Sequence, residues 1–110
     1  MNILDKSKWF ITNSENGSFN NLTNEDWDKI ESEYIQLVDN TTDGTMIEAG
    51  LDLDIHYVIP YPVRLSMHKR LVELEPNNTS AIRKYALYLF AFGDPPDEIV
   101  AQEMLKRIGE

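Results

Sequence analysis

Residues 79–108 leave this chain little freedom in how it folds. Ala81, Ile82, Tyr85, Ala86, Leu89 and Phe90 recur at helical spacing, and Leu87, Tyr88 and Phe92 make the opposite face apolar too. A helix apolar all round belongs at the centre of a packed structure, so the spacing predicts a central helix over 79–92. Glu75-Pro76-Asn77-Asn78 before it reads as a turn, with Thr79 and Ser80 as candidate N-caps. Gly93 suits a helix end, Asp94 an N-cap and Pro95 the first turn of another helix. Residues 94–108 are therefore expected as a close antiparallel neighbour that buries Val100, Ala101, Met104, Leu105 and Ile108.

Two further helices are expected upstream. Thr23 with Asp26 three residues later has the form of a capping box, and Trp27, Ile30, Tyr34, Leu37 and Val38 form one apolar stripe over 24–38. Pro62 can begin a helix over 62–74, because its missing N–H is not needed there, with Val63, Met67, Leu71 and Leu74 on one face. Between these lies Asp39-Asn40-Thr41-Thr42-Asp43-Gly44, a turn in which Gly44 would supply positive φ. Leu51-Asp52-Leu53-Asp54-Ile55-His56 alternates apolar and polar residues, which predicts an extended segment near 51–59 ended by Pro60 and Pro62. A lone strand is unstable, so it would pair with Trp9-Phe10-Ile11 or else be irregular or helical. Residues 1–22 read as an irregular arm with a loop from Thr12 to Asn21. At 110 residues, 42% of them apolar, the chain can form one core. The expectation is a mainly α single domain, 1–110, of about four helices.

Glu75-Pro76-Asn77-Asn78, Ala81-Ile82, Tyr85-Ala86, Leu89 and Gly93-Asp94 resemble one tetratricopeptide unit, and 62–74 resembles the second helix of a preceding one. The likeness covers roughly residues 62–108. Its second helix fits only loosely, through Ala101, Leu105 and Ile108, with extra residues after Gly93. The resemblance implies a peptide-binding scaffold without catalysis. A single unit cannot bury its own faces, so it is read as a helical hairpin.

Charge is distributed unevenly. The formal net charge of −9 falls entirely within residues 1–57, where twelve acids face three bases, while 58–110 hold seven of each. Such a balance disfavours nucleic acid and anionic membrane surfaces as partners, since both are bound by cations. The absence of cysteine excludes disulfides, thiolate metal sites and thiol nucleophiles. Asp5 and Lys6 interrupt what a signal peptide would need, so the location is expected to be cytoplasmic, and the Asn-x-Ser/Thr triplets at Asn16, Asn21, Asn40, Asn77 and Asn78 only mark an Asn-rich composition. There is no G-x-S-x-G elbow and no phosphate-binding glycine loop.

One short pattern could carry metal or acid–base chemistry. Asp52, Asp54 and His56 would face the same way along an extended segment, but no second ligand cluster accompanies them, and solvated charges on an edge strand are the preferred explanation. His68 reads as a surface or half-buried histidine. Trp27, Tyr34, Tyr85, Tyr88 and Phe90 are expected to build core, with Tyr57, Tyr61 and Trp9 as candidate exposed anchors.

The preferred reading is a protein-binding module, not an enzyme, whose acids Glu25, Asp28, Glu31, Asp39, Asp43, Glu48, Asp52 and Asp54 meet a basic protein partner. No catalytic residue, cofactor or metal is expected. Small size, acidity and the lack of a catalytic set resemble bacterial immunity proteins, which implies an antitoxin-type inhibitor that occludes a basic nuclease toxin. The alternatives are a tetratricopeptide-like peptide-binding adaptor and a metal-dependent enzyme using Asp52, Asp54 and His56.

Overall fold

The computed structural model describes residues 1–109 as six helices: α1 Ile3–Glu15, α2 Asn24–Asn40, α3 Gly44–Leu53, α4 Tyr61–Leu74, α5 Thr79–Phe92 and α6 Pro95–Arg107. Among the described residues there is no strand. The mainly α expectation holds, but the four helices become six. Both additions lie where the sequence was read as irregular or extended.

Local chemistry sets the starts. The Asn2 side chain accepts the Asp5 N–H and begins α1. Thr23 and Asp26 form the expected capping box of α2. Asp43 accepts from Thr45 at the start of α3, and the cap of α5 is Asn78, one residue before the expected candidates. At α6 the Asp97 carboxylate accepts the Asp94 N–H at 3.0 Å.

The extended segment near 51–59 is corrected by α3. The alternation of Leu and Asp coincides there with a helical set, Ile47, Gly50, Leu51 and Asp54, all buried. Leu53 and Ile55, which alternation placed inward, are 43% and 72% exposed. The N-terminal arm is corrected in the same way. Ile3, Ser7 and Phe10 recur at i, i+4 and i+7 and are buried, and because the middle one is polar the period is hard to see. Gly44 does not take positive φ; it opens α3 beneath Glu75, whose carboxylate occupies the space a Cβ would need.

The central helix is α4, not α5. It packs against α2, α3 and α5, while α6 rests mainly on α5. One cluster joins Phe10, Tyr34, Ile47, Val63, Met67 and Leu71, and a smaller one joins Ala86, Leu89 and Ala101. In consequence α5 keeps an apolar face in solvent, with Leu87 at 54% and Phe92 at 50% exposure, and Val100 is 43% exposed instead of buried. Phe90 is likewise part of this exposed face and not of the core. The loop after α1 is held by aromatics: Phe19 lies 5.1 Å from Phe10 and 5.6 Å from Trp27.

The α1–α3 crossing depends on Gly50. Ser7 Oγ donates to Ile3 O at 2.9 Å, so Tyr34 Oη must donate to Ser7, and this buried pair lies against Gly50. A Cβ on Gly50 would meet Ser7 Oγ at 2.8 Å and Met67 Cε at 3.2 Å. Helix propensity alone would favour Gly50→Ala by ~0.5–1 kcal/mol, but overpacking costs ~1–3 kcal/mol. Urea denaturation should therefore show G50A destabilised; a neutral or stabilised variant would mean that the crossing has slack.

Candidate acidic face and aromatic cleft

The eight acids expected to meet a partner divide into two groups. Glu25, Asp28 and Asp39 lie on one exposed stripe of α2, with Glu31 and Glu33 flanking it. Among the described residues no ion pair engages any of these five. Asp43 is also exposed, and its carboxyl is held below the usual range by hydrogen bonds from the Thr45 side chain and backbone. The other three acids are committed inside the fold. Glu48 and Asp52 both pair with Lys84, at 3.5 and 3.2 Å. Burial works against charge on Lys84, yet the hydrogen bonds and charges of these acids outweigh it and hold the ammonium above its ordinary pKa. Asp54 is 2% exposed and removed from any partner's reach.

Asp54 anchors the second feature. It follows α3 and accepts the N–H groups of Val58 and Ile59 at 2.8 and 3.1 Å, turning the chain back toward α4. Arg64, one turn into α4, completes the set with Nη1 2.8 Å from Oδ2. Asp54 is therefore a structural residue, and the expected common face of Asp52, Asp54 and His56 is not formed. Asp52 points to Lys84, Asp54 is sealed beneath Arg64, and His56 is exposed in the turn. Among the described residues no three His, Cys, Asp or Glu side chains are placed to hold a metal ion.

Above Arg64 the molecule has a cleft of about 420 Å³ between α3, α4 and α5. The Arg64 guanidinium carbon lies 4.5 and 5.2 Å from the ring centroids of Tyr57 and Tyr88, which are within 8° of parallel. Cation–π attraction at such distances is worth ~0.5–2 kcal/mol. Tyr57 holds its place at φ 55°, a left-handed conformation that disfavours a side chain by roughly 1–2 kcal/mol. His68 lies deeper, 3% exposed, stacked on Tyr88 at 4.9 Å and on Tyr85 at 5.7 Å. Both its nitrogens are buried without a partner, as is Nε of Arg64. Burial, with the positive charges of Arg64 and Lys84 added, pushes the imidazole down to about 3. It is neutral at physiological pH and no proton shuttle. Burial also pushes the Tyr88 hydroxyl up to about 12.

The chain matches no family model, no curated protein and no solved structure. Among the described residues, no helix is long and apolar enough to cross a membrane.

The sequence reading missed the residues that make the cleft. His68, expected at the surface or half-buried, is buried, and Arg64, expected with Lys69, Arg70, Arg83 and Lys84 among the bases that could face carboxylates within the fold, does so at Asp54. The available signal was their position on α4: each directly follows a core residue, Val63 and Met67, so both sit at the border of the buried stripe. Tyr57 and Tyr61 are exposed at 54% and 37%, as expected for anchors, but they pack on Tyr88 at the mouth of the cleft. Trp9, at 37%, lies edge-on to Phe19 with Lys6 over its ring.

Proposed function

We propose that this protein is a non-catalytic binding module whose α2 face occludes a basic surface on another protein, as an immunity or antitoxin-type inhibitor occludes a nuclease toxin. The observation that supports this reading is the division of the acids. Glu48 and Asp52 on α3 share Lys84 within the fold, whereas among the described residues Glu25, Asp28, Glu31, Glu33 and Asp39 form no ion pair along a helix of 17 residues. At 1.5 Å per residue the stripe from Glu25 to Asp39 is ~21 Å long, enough to line a groove that would otherwise hold phosphates. The carboxylates stand in for phosphates and pair with the partner's Arg and Lys, and nothing is turned over. Steering by such a surface speeds association by ~10–1000-fold and is lost in salt.

The test is inhibition of a panel of basic nuclease domains by the wild-type chain and by the triple variant E25K/D28K/D39K, at 50 and 500 mM salt. Inhibition of at least one nuclease is expected, weakened about 10-fold or more by the triple variant and by salt. All three side chains are exposed and none forms an ion pair among the described residues, but Asp39 lines a groove with Lys69 and Arg70 of α4, so circular dichroism must show the variant folded and E25K/D28K serves as the second variant. Inhibition of none, or inhibition indifferent to both changes, sinks the proposal. A partner held through α4–α6 with the acids irrelevant would instead support a tetratricopeptide-like adaptor.

A further inference from the structure

The cleft contains a recognition element that the fold does not use. Arg64 is satisfied on one side only: Nη1 donates to Asp54 Oδ2 at 2.8 Å and reaches Asp54 O at 3.3 Å. Nε is buried with no partner, and among the described residues none is hydrogen-bonded to Nη2, which is not itself buried. Together Nε and Nη2 form the side-on edge of the guanidinium, whose two parallel N–H bonds match the two oxygens of a carboxylate. Leaving Nε buried and unpaired costs free energy that an acceptor entering the cleft would recover. Among the described residues no acceptor reaches Nε, since Glu48 and Asp52 are engaged by Lys84 and Asp54 bonds Nη1.

The remaining walls are apolar. Leu87 and Phe92 of α5 and Ile55 of the turn are 54%, 50% and 72% exposed where they line the cleft, beside the ring of Tyr88. A volume of about 420 Å³ is in the range of small-molecule sites, ~300–1,000 Å³. The charge of the lining selects among anions. Arg64 and Lys84 are balanced by Asp52 and Asp54, and His68 adds no charge, so the cleft offers one guanidinium edge, which suits a single carboxylate, and no further cation for a second negative charge.

We infer that this cleft binds a small monocarboxylate with an aromatic or branched apolar body, its carboxylate paired side-on with Arg64 and its body against Tyr88, Leu87 and Phe92. Tyr57 is the movable element. Its ring is 54% exposed and lies over the face of the guanidinium, 4.5 Å from Cζ, from a left-handed backbone conformation, so burial holds it only in part. The site is independent of the acidic stripe, since no α2 residue lines it. The carboxylate could belong to a free metabolite or to the C-terminus of another chain, and the experiment distinguishes them.

Calorimetry and amide NMR on the full chain would use 3-phenylpropionate, 3-phenylpropionamide, phenyl phosphate, and the peptide acetyl-Gly-Gly-Phe as free acid and as amide. The acid should bind saturably at one site, about 10-fold or more tighter than its amide and than phenyl phosphate. Arg64→Gln should remove at least that factor. Phe92→Ser, at an exposed wall position that leaves the core intact, should weaken binding several-fold and shift the same amide resonances, so the result stands even where R64Q folds poorly. Tighter binding of the peptide acid than of the free acid assigns the source as a chain terminus, and the reverse assigns a metabolite. No saturable binding of any carboxylate at low millimolar concentration, equal binding of acid and amide, preference for phenyl phosphate, or indifference to both substitutions would overturn the inference.

Discussion

Asp54→Asn should cost this fold about 3–5 kcal/mol, the usual consequence of removing one partner of a buried ion pair. Asp54 is 2% exposed and Arg64 7%, so neither charge can be rehydrated without opening the structure. The carboxylate also accepts two backbone N–H groups, from Val58 and Ile59, and one of these would face the new amide's own donors. What remains is a buried guanidinium held by Asp54 O at 3.3 Å and by the rings of Tyr57 and Tyr88. Cation–π contacts of ~0.5–2 kcal/mol do not offset that loss. Arg64→Met should be milder, since Asp54 retains its backbone donors and the methionine fills the same apolar space. The double variant should cost less than the sum of the two by ~0.5–3 kcal/mol. Urea denaturation of the four proteins measures the cycle. A D54N cost below about 1 kcal/mol would show that water already reaches the pair.

This pair also shows why the fold was only partly legible in the sequence. Helices α2, α4, α5 and α6 have apolar periods and start signals that lie close together in the chain, so α5 could be placed at Thr79–Phe92 to the residue. α1 and α3 put polar or small residues in their buried stripes: Ser7 in one, Gly44, Gly50 and the capping Asp54 in the other. Each is there because of a residue far away. Ser7 answers Tyr34, Gly50 makes room for Ser7 and Met67, and Asp54 answers Arg64 ten residues on. Local periodicity does not contain those partners. Leu51 to Asp54 then mimics a strand because two charges of a helix C-terminus fall next to two leucines.

The candidate sites divide along the same line. The α2 stripe was legible because exposure and charge follow from helix phase alone, and Glu25, Asp28 and Asp39 lie where the phase put them. The cleft was not. The α4 period by itself puts Arg64 and His68 at the border of the buried stripe, and only the return of α5 with Tyr85 and Tyr88 encloses them. The all-apolar character of α5 was likewise visible, but which face stays in solvent depends on how α6 packs. Leu87 and Phe92 remain exposed because α6 covers the side that carries Ala86 and Leu89.

His68 provides the sharper probe of that enclosure. Its imidazole is 3% exposed, stacked on two tyrosines, and held neutral down to about 3 by burial and by the charges of Arg64 and Lys84. In the unfolded chain the same group takes a proton near the ordinary histidine value of 6.5. Between these limits the unfolded state binds more protons, so stability falls as pH falls, by up to ~1.4 kcal/mol per pH unit. From pH 6.5 to 4.5 this group should cost about 2–3 kcal/mol. The capping carboxylates Asp26 and Asp43, with folded pKa values lowered from 3.8, lose their contribution only at lower pH and do not confuse that window. His68→Phe retains the stacking on Tyr85 and Tyr88 and removes two buried nitrogens without partners. It should therefore be more stable than wild type by ~1–2 kcal/mol at pH 7.5, with an advantage that widens as pH falls to 4.5. Urea midpoints at four pH values test this, alongside an NMR titration of the His68 ring protons. Parallel pH slopes for the two proteins, or a His68 resonance titrating near 6.5, would mean that the ring is hydrated and that α5 does not close over it.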